Sequence, residues 1–153
     1  MSATIIELSR REGWRVLVAH QRADVRHALR TLIEAGNIAV AEVADGEKAL
    51  SELEFARFDL LVLELDLPGK DGITVMQLHR VLLAHERTRV APPAVILTLP
   101  PEVRGNATLT DHLRTLGVAA VIDDAPRPEV ASVVESVLRE RAAQLLDGKP
   151  AVA

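Results

Sequence analysis

The stretch DLLVLELDLPGKDG, residues 59–72, contains the strongest local structural signals in the chain. Its first part, Leu60–Leu65, is a short apolar run interrupted by Glu64, and such runs form strands that are buried on both faces. Its second part, residues 68–72, has the Pro and Gly content of a turn. An apolar stripe with helical spacing follows, carried by Val75, Leu78, Leu82 and Leu83. A buried strand, a turn and a helix in this order predict one β-then-α unit.

The same unit recurs on both sides of this stretch. Four further apolar runs predict strands: Val16–Ala19, Ile38–Val43, Ala94–Leu97 and Ala119–Ile122. A helical pattern follows each of them, so the alternation predicts an α/β domain with a doubly wound, five-stranded parallel sheet and five helices. We place this domain at residues 14–146, with residues 1–13 as an N-terminal extension and residues 147–153 as a C-terminal tail.

The fourth predicted helix has its own start and stop signals. Thr108 and Asp111 have the spacing of a capping box, and Gly117 is a typical stop. His112 lies on the apolar stripe of this helix, so we predict that it packs in the core.

Composition excludes several classes of function. The 153 residues carry a formal charge of −4 and include no Cys, which excludes disulfides, thiolate metal sites and cysteine nucleophiles. Aromatic residues make up 2%, and together with the acidic balance this argues against nucleic acid as a partner. The chain has no targeting signal, and its apolar runs are far shorter than the roughly 20 residues that cross a bilayer. We therefore expect no membrane association and a cytoplasmic location.

Three segments resemble motifs of a known family, the bacterial response-regulator receiver domains. Residues 59–72 resemble its central motif, in which a strand ends at the phosphoacceptor Asp and a Pro-Gly-x-Asp-Gly turn follows. Residues 45–50, DGEKAL, resemble the start of its second helix, and residues 95–98, VILT, resemble its fourth strand with the switch Thr. The resemblance covers about residues 14–146 and implies the flavodoxin-like strand order 2-1-3-4-5.

The residues at the family's working positions differ from the family pattern. Receivers carry two acidic residues after the first strand, where this chain has His20 and Gln21. Glu64 stands at the phosphoacceptor position and Asp124 at the position of the Lys that contacts the phosphoryl group. Two positions belong to the switch: Thr98 is retained, and Val121 replaces the aromatic residue.

These replacements predict a degenerate pseudo-receiver. Phosphoryl transfer depends on positioning and on neutralising the charge of the transferred oxygens. Mg²⁺ binds carboxylates, carbonyls and water, so replacing two acids by His20 and Gln21 removes most of its attraction. Asp124 would repel a phosphoryl group, and Glu64 moves the carboxylate by one methylene. We therefore predict no catalytic residue, no metal, no cofactor and no enzymatic activity.

The predicted function is phosphorylation-independent signalling through protein contact in two-component systems. Arg22, Arg26 and Arg30 recur along the first helix, which in receivers docks a histidine kinase, so they are candidates for partner docking. A kinase, another regulator or an output enzyme would be the partner in trans. A homodimer through the fourth helix, fifth strand and fifth helix is the other arrangement, and residues 100–107 form a candidate interaction loop beside that face.

Two alternatives remain open at this point. One is a receiver of a hybrid kinase or regulator with residual chemistry, with a metal held by His20, Glu64 and Asp66. The other is a small-molecule-binding flavodoxin-like domain, although residues 20–24, HQRAD, lack the glycine of a phosphate-binding loop.

Overall fold

Five parallel strands form one sheet in the computed structural model, which describes residues 13–35, 37–86 and 90–147. The strands are β1 (Trp14–Ala19), β2 (Ile38–Val43), β3 (Leu60–Glu64), β4 (Ala94–Leu99) and β5 (Ala120–Asp123). Their order across the sheet is β2-β1-β3-β4-β5, which confirms the predicted fold class and strand order. Nearly all of the predicted extension and tail lies outside the described residues, so the domain boundaries stay predictions.

Five α-helices connect and flank the strands. They are α1 (Ala23–Glu34), α2 (Gly46–Phe55), α3 (Gly72–His85), α4 (Ala107–Thr115) and α5 (Glu129–Leu146). A single 3₁₀ turn, Pro101–Val103, follows β4. Within the described residues, no helix is both long enough and apolar enough to cross a bilayer.

The sheet is covered on both faces, as its continuous apolar strands require. On one face, α1 and α5 pack against the sheet through residues such as Leu29 and Leu138. On the other face, α2, α3 and α4 do so through residues such as Ala49, Met76 and Leu113. Successive side chains along each strand point to opposite faces of the sheet, so each face has its own hydrophobic core.

Strand register brings the functional candidates to one edge. Glu64 is the last residue of β3 and lies beside Thr98 of β4, while Leu99 lies beside Asp123 of β5. His20 follows the last residue of β1. Because the carboxyl ends of parallel strands meet at the same edge, this edge is where ligands bind in open α/β sheets.

The buried face of α3 differs from the predicted one. Val75 is buried as expected, but Leu78 and Leu82 are exposed, and Met76 and His79 take their place in the interior. Apolar side chains occur on both the buried and the exposed side of this helix, so spacing alone leaves its orientation open.

The start of α4 and the place of His112 also differ from the prediction. The side chain of Asn106 accepts a hydrogen bond from the backbone N–H of Leu109 at 3.0 Å, so Asn106 and not Thr108 caps the helix. His112 is exposed, and Leu113 takes the core position beside it. Gly117 follows the helix with a φ of +97°, as its stop position predicts.

Candidate functional site

The turn before α2 packs directly against the turn after β3. The backbone N–H of Gly46 donates to the carbonyl of Pro68 at 2.9 Å. A Cβ atom at residue 46 would lie 2.0 Å from the carbonyl oxygen of Lys70, so only glycine allows this approach. Asp45 caps α2 by accepting a hydrogen bond from the N–H of Lys48 at 2.8 Å. The Asp-Gly pair therefore fixes the loop that carries residues 65–71.

The turn into α3 holds the backbone of Glu64. A Cβ atom at residue 72 would lie 2.5 Å from the carbonyl oxygen of Glu64. The N–H of Gly72 donates to the carbonyl of Leu65 at 3.2 Å, and Asp71 caps α3 by accepting from the N–H of Thr74 at 2.8 Å. The turn residues of the motif thus have packing and capping roles that require no phosphoryl chemistry.

Gln21 binds the carboxylate of Glu64 at two points. Its backbone N–H donates to Oε1 at 2.9 Å, and its side-chain amide donates to Oε2 at 2.9 Å. The Glu64 residue is 7% exposed. Both carboxylate oxygens therefore already have donors from the loop after β1, and the residue at an expected acidic position acts as a donor instead.

His20 is fully buried beside this pair. Its Nδ1 accepts a hydrogen bond from the backbone N–H of Arg22 at 3.1 Å, which places the proton of the neutral ring on Nε2. Nε2 lies 3.5 Å from Oε2 of Glu64 and has no hydrogen-bond partner among the described residues. Burial lowers the pKa of His20, although the charges of Glu64 and Asp124 oppose this.

Thr98 and Val121 lie on adjacent strands at the same edge. Thr98 is buried, and its hydroxyl oxygen has no hydrogen-bond partner among the described residues. Val121 is half-buried and pairs in register with Leu97, one residue before Thr98. The strand next to Thr98 therefore carries a valine, whose side chain is smaller than the aromatic ring of the family pattern.

Two carboxylates lie at the end of β5: Asp123 is its last residue and Asp124 follows it. The N–H of Asp124 donates to the carbonyl of Leu99 at 3.2 Å, which continues the pairing of β4 and β5. The negative charge of Asp124 acts on His20. The position at which the family pattern has a lysine therefore carries a negative charge in this chain. Asp123 pairs instead with Arg104, at 3.2 Å between Oδ1 and Nε, and this contact ties the loop after β4 to β5.

Arg22, which precedes α1, and Arg26 and Arg30 within α1 have different environments. Arg26 donates to the carbonyls of His20 and Gln21, at 2.8 and 3.2 Å, so it fixes the loop after β1. Arg22 pairs with Asp24 at 2.7 Å, and Arg30 pairs with Glu34 at 2.6 Å and Glu42 at 3.0 Å, all near the surface. The internal role of Arg26 was not predicted from the sequence, because its spacing from His20 carries no signal for it.

The edge does not fit Mg²⁺. The two positions after β1 offer a buried imidazole and an amide, and the amide hydrogens are donated to Glu64. In the described parts of the chain, no three His, Asp or Glu side chains are grouped closely enough to hold a metal ion, so the alternative set of His20, Glu64 and Asp66 does not assemble. Hard cations need several oxygen ligands, and both oxygens of Glu64 already accept hydrogen bonds from Gln21.

A family model compared with the sequence extends this picture. The model of the response regulator receiver domain matches residues 16–99, more than half of the chain. The chain belongs to this receiver domain family. The matched range ends directly before Pro100, at the loop that precedes α4.

Two curated relatives show the settings in which similar sequences occur. The transcriptional regulatory protein ResD of Bacillus subtilis is 32% identical over 136 residues, which cover 85% of this receiver and 50% of ResD. A protein-glutamate methylesterase/protein-glutamine glutaminase of Nitrobacter hamburgensis is 30% identical over 130 residues, which cover 84% of this receiver and 31% of that protein. The chain thus spans half or less of the length of these relatives.

Solved structures agree with the fold. The REC domain of AraT, a response regulator from Geobacillus stearothermophilus, has a TM-score of 0.69 and 26% identity, covering 87% of this chain and 98% of that one. The receiver domain of a Vibrio parahaemolyticus Luxo repressor protein has a TM-score of 0.71 at 19% identity, covering 88% and 95%. This chain is therefore a receiver domain of two-component signalling.

Proposed function

We propose that this receiver domain neither accepts nor holds a phosphoryl group and that it signals through protein contact. The observation that carries the proposal is the binding of both Glu64 oxygens by Gln21, at 2.9 Å each. A carboxylate must approach the phosphorus atom in line with the leaving group, and small displacements reduce the rate steeply. Attack by Glu64 would require breaking two charge-assisted hydrogen bonds without any new positive partner.

Charge at the edge supports the same proposal. A phosphoryl group brings about two negative charges and needs cations around it. Here the buried His20, whose pKa burial lowers, supplies no cation, and the carboxylate of Asp124 repels a dianion. The two cations that act on His20 are already engaged: Arg22 pairs with Asp24, and Arg26 donates to the carbonyls of His20 and Gln21.

The domain would remain in one conformation as a consequence. Glu64 places a carboxyl group at the position where a working receiver gains charge, and Gln21 hydrogen-bonds both of its oxygens. The hydroxyl of Thr98 has no partner among the described residues, and the neighbouring strand offers Val121 in place of an aromatic ring. A ligand can shift a conformational equilibrium only if it binds one conformation more tightly than the other. A phosphoryl group that does not bind at this edge would therefore shift no equilibrium of the domain.

Partner recognition is then the remaining function, with no enzymatic activity of its own. We propose a protein partner, either a histidine kinase, another regulator or an output enzyme, in the cytoplasm. Arg22, directly before α1, and Arg30, within α1, have exposed side chains, and they suit an acidic partner surface. A homodimer through α4, β5 and α5 is the alternative arrangement.

The experiment is incubation with acetyl phosphate and Mg²⁺, followed by intact-mass measurement. The wild-type chain should show no added phosphoryl mass. The positive control combines H20D, Q21D, E64D and D124K, which restores the family residues on the same scaffold and should gain the mass. A phosphoryl adduct on the wild-type chain that is absent from E64Q would overturn the proposal.

A further inference from the structure

A cleft of about 190 Å³ opens at the opposite end of the sheet from Glu64, where β4 and β5 begin. Three arginines from three different helices line it: Arg80 of α3, Arg114 of α4 and Arg141 of α5. We call it the arginine cleft. Because guanidinium groups suit the recognition of phosphate and carboxylate oxygens, this set of side chains indicates an anion site.

Arg80 is held in place by the backbone at the end of α4. Its Nη1 and Nη2 atoms donate to the carbonyls of Leu116 and Gly117 at 2.8 and 3.0 Å. A Cβ atom at residue 117 would lie 2.6 Å from Nη1, so the guanidinium fills space that a glycine leaves free. A guanidinium has five N–H groups, and the described residues accept from only two of them. Arg80 is therefore a fixed group that can still donate to a ligand.

The charge of Arg80 has no carboxylate partner. Neither Arg80 nor Arg114 forms an ion pair within the described part of the chain. Arg141 differs, because it pairs with Asp59 at 3.2 Å. Burial lowers the pKa of the half-buried Arg80, and carbonyl groups accept its hydrogen bonds without supplying a net charge. An anion in the cleft would therefore stabilise this cation further.

Two polar side chains of α5 complete the cleft. Glu140 lines it and is exposed, so its carboxylate opposes an anion through a repulsion that water and salt screen. The two arginines without carboxylate partners outnumber Glu140, and the balance of charge stays positive. Gln144, one turn further along the helix, adds an amide that can donate.

The placement of the donors favours a tetrahedral anion. They come from three helices around the cleft, and phosphate directs four oxygens outward in different directions, whereas a carboxylate has two oxygens in one plane. The cleft is several times larger than the about 30 Å³ of a water molecule, so an ion of this size fits. We propose that the arginine cleft binds a small tetrahedral oxyanion of the phosphate class, contacted by Arg80 and Arg114.

The probe for this site is inorganic phosphate, added to the isotope-labelled full chain at low ionic strength and followed by NMR. The backbone amides of Gly117, Val118 and Ala119, which line the cleft, should shift in a saturable way. The expected dissociation constant is about a millimolar or less, and acetate should bind at least about tenfold more weakly. The absence of saturable shifts at these amides, or acetate binding as tight as that of phosphate, would overturn the inference.

Variants with matched charge changes separate a site from general attraction. Arg114 is exposed, so R114Q should fold normally, and it should weaken phosphate binding at least about tenfold. E140Q removes the opposing carboxylate and should strengthen binding. R139Q is the control, because Arg139 is exposed on α5, pairs with Glu135 and does not line the cleft. Equal weakening by R114Q and R139Q would show attraction to net charge alone and would overturn the inference.

This inference goes beyond signalling through protein contact and does not rest on it. Phosphate held in the arginine cleft adds no covalent mass, so the intact-mass experiment does not detect it. A phosphorylated wild-type chain would overturn the proposed function and leave the cleft unaffected. A cleft that binds no phosphate would overturn only the inference made for the cleft.

Discussion

At the residue scale, the two glycines of the motif turns are required by backbone contacts rather than by chemistry. Gly46 has no room for a Cβ atom, because the carbonyl oxygen of Lys70 would lie 2.0 Å away. We expect G46A to lower the free energy of unfolding by about 1–3 kcal/mol, the usual cost of overpacking. Urea denaturation measures this, with S51A, an exposed position in the same helix, as the control. Equal stability of G46A and the wild type would contradict the packing role.

The contact between Gln21 and Glu64 makes a separate prediction about stability. Removing the amide leaves a buried carboxylate with one donor fewer, and hydrogen bonds to charged groups contribute about 1.5–3 kcal/mol. We expect Q21A to lower the free energy of unfolding by about that amount. Q77A removes the same side chain from an exposed site on α3 and should have little effect. If the two variants are equally stable, the contact is not a stabilising one.

The sequence indicated which residues reach the edge but not how they bond there. His20, Gln21 and Asp124 follow predicted strands, and Glu64 lies near the end of another, so the topology alone brings them together. The bonds from Gln21 to Glu64 depend on side-chain torsions, and the role of Arg26 depends on two backbone carbonyls. Neither leaves a pattern in residue spacing, which explains why both were missed.

At the scale of elements, the docking of α5 depends on one arginine. Arg141 is largely buried and donates to Asp59 at 3.2 Å and to the carbonyls of Ala91 and Pro92 at 3.3 and 3.4 Å. It therefore links the helix to the chain segments that begin β3 and β4. We expect R141A to lower the free energy of unfolding by about 2–3 kcal/mol, because it leaves Asp59 without its cation.

Arg139 provides the matched control two residues earlier in the same helix. It pairs with Glu135 one turn away, and both side chains are more than half exposed. Exposed pairs contribute about 0–1 kcal/mol, so R139A should stay close to the wild type. Thermal or urea unfolding measures the stability of both variants. A larger loss of stability in R139A than in R141A would contradict the role assigned to Arg141.

The error in the orientation of α3 has a physical reason at the same scale. The residues Val75, Leu78, Leu82 and Leu83 fit one helical stripe, yet Met76 and His79 occupy the interior and Leu78 and Leu82 are exposed. In α1, by contrast, one side is polar and the buried residues Val25, Leu29 and Ile33 lie on the other. Where both sides are apolar, tertiary packing decides the orientation and the sequence pattern does not.

At the scale of the whole molecule, the β-then-α alternation predicted the sheet and all five helices. Continuous apolar strands can be buried only between two layers of helices, so few arrangements satisfy the pattern. The loop from Pro100 to α4 was less predictable, because its 3₁₀ turn and the Arg104–Asp123 pair depend on contacts between distant segments.

Stability of the whole molecule should depend on two buried histidines. Burial lowers the pKa of both His20 and His79 below the ordinary value of about 6.5. Glu64 and Asp124 oppose this at His20, whereas Arg22 and Arg26 add to it. Between the folded and unfolded pKa values, the unfolded chain binds more protons, so stability rises with pH in that window.

We therefore expect the free energy of unfolding to be level above about pH 7.5 and to fall as the pH drops below about 6.5. The slope should be at most about 1.4 kcal/mol per pH unit for each histidine. Urea titrations from neutral to mildly acidic pH measure it. The double variant H20N/H79N should lose most of the slope; the same slope in that variant would contradict the assignment.

The central claim is that the edge of the sheet around Glu64 cannot receive a phosphoryl group. The most direct measurement is fluorine NMR of the wild-type chain with Mg²⁺ and beryllium fluoride, a stable mimic of the transferred group, with the restored quadruple variant beside it. We predict a bound fluorine signal for the restored variant and only free fluoride species for the wild type. A bound signal in the wild type that disappears in E64Q would contradict the account.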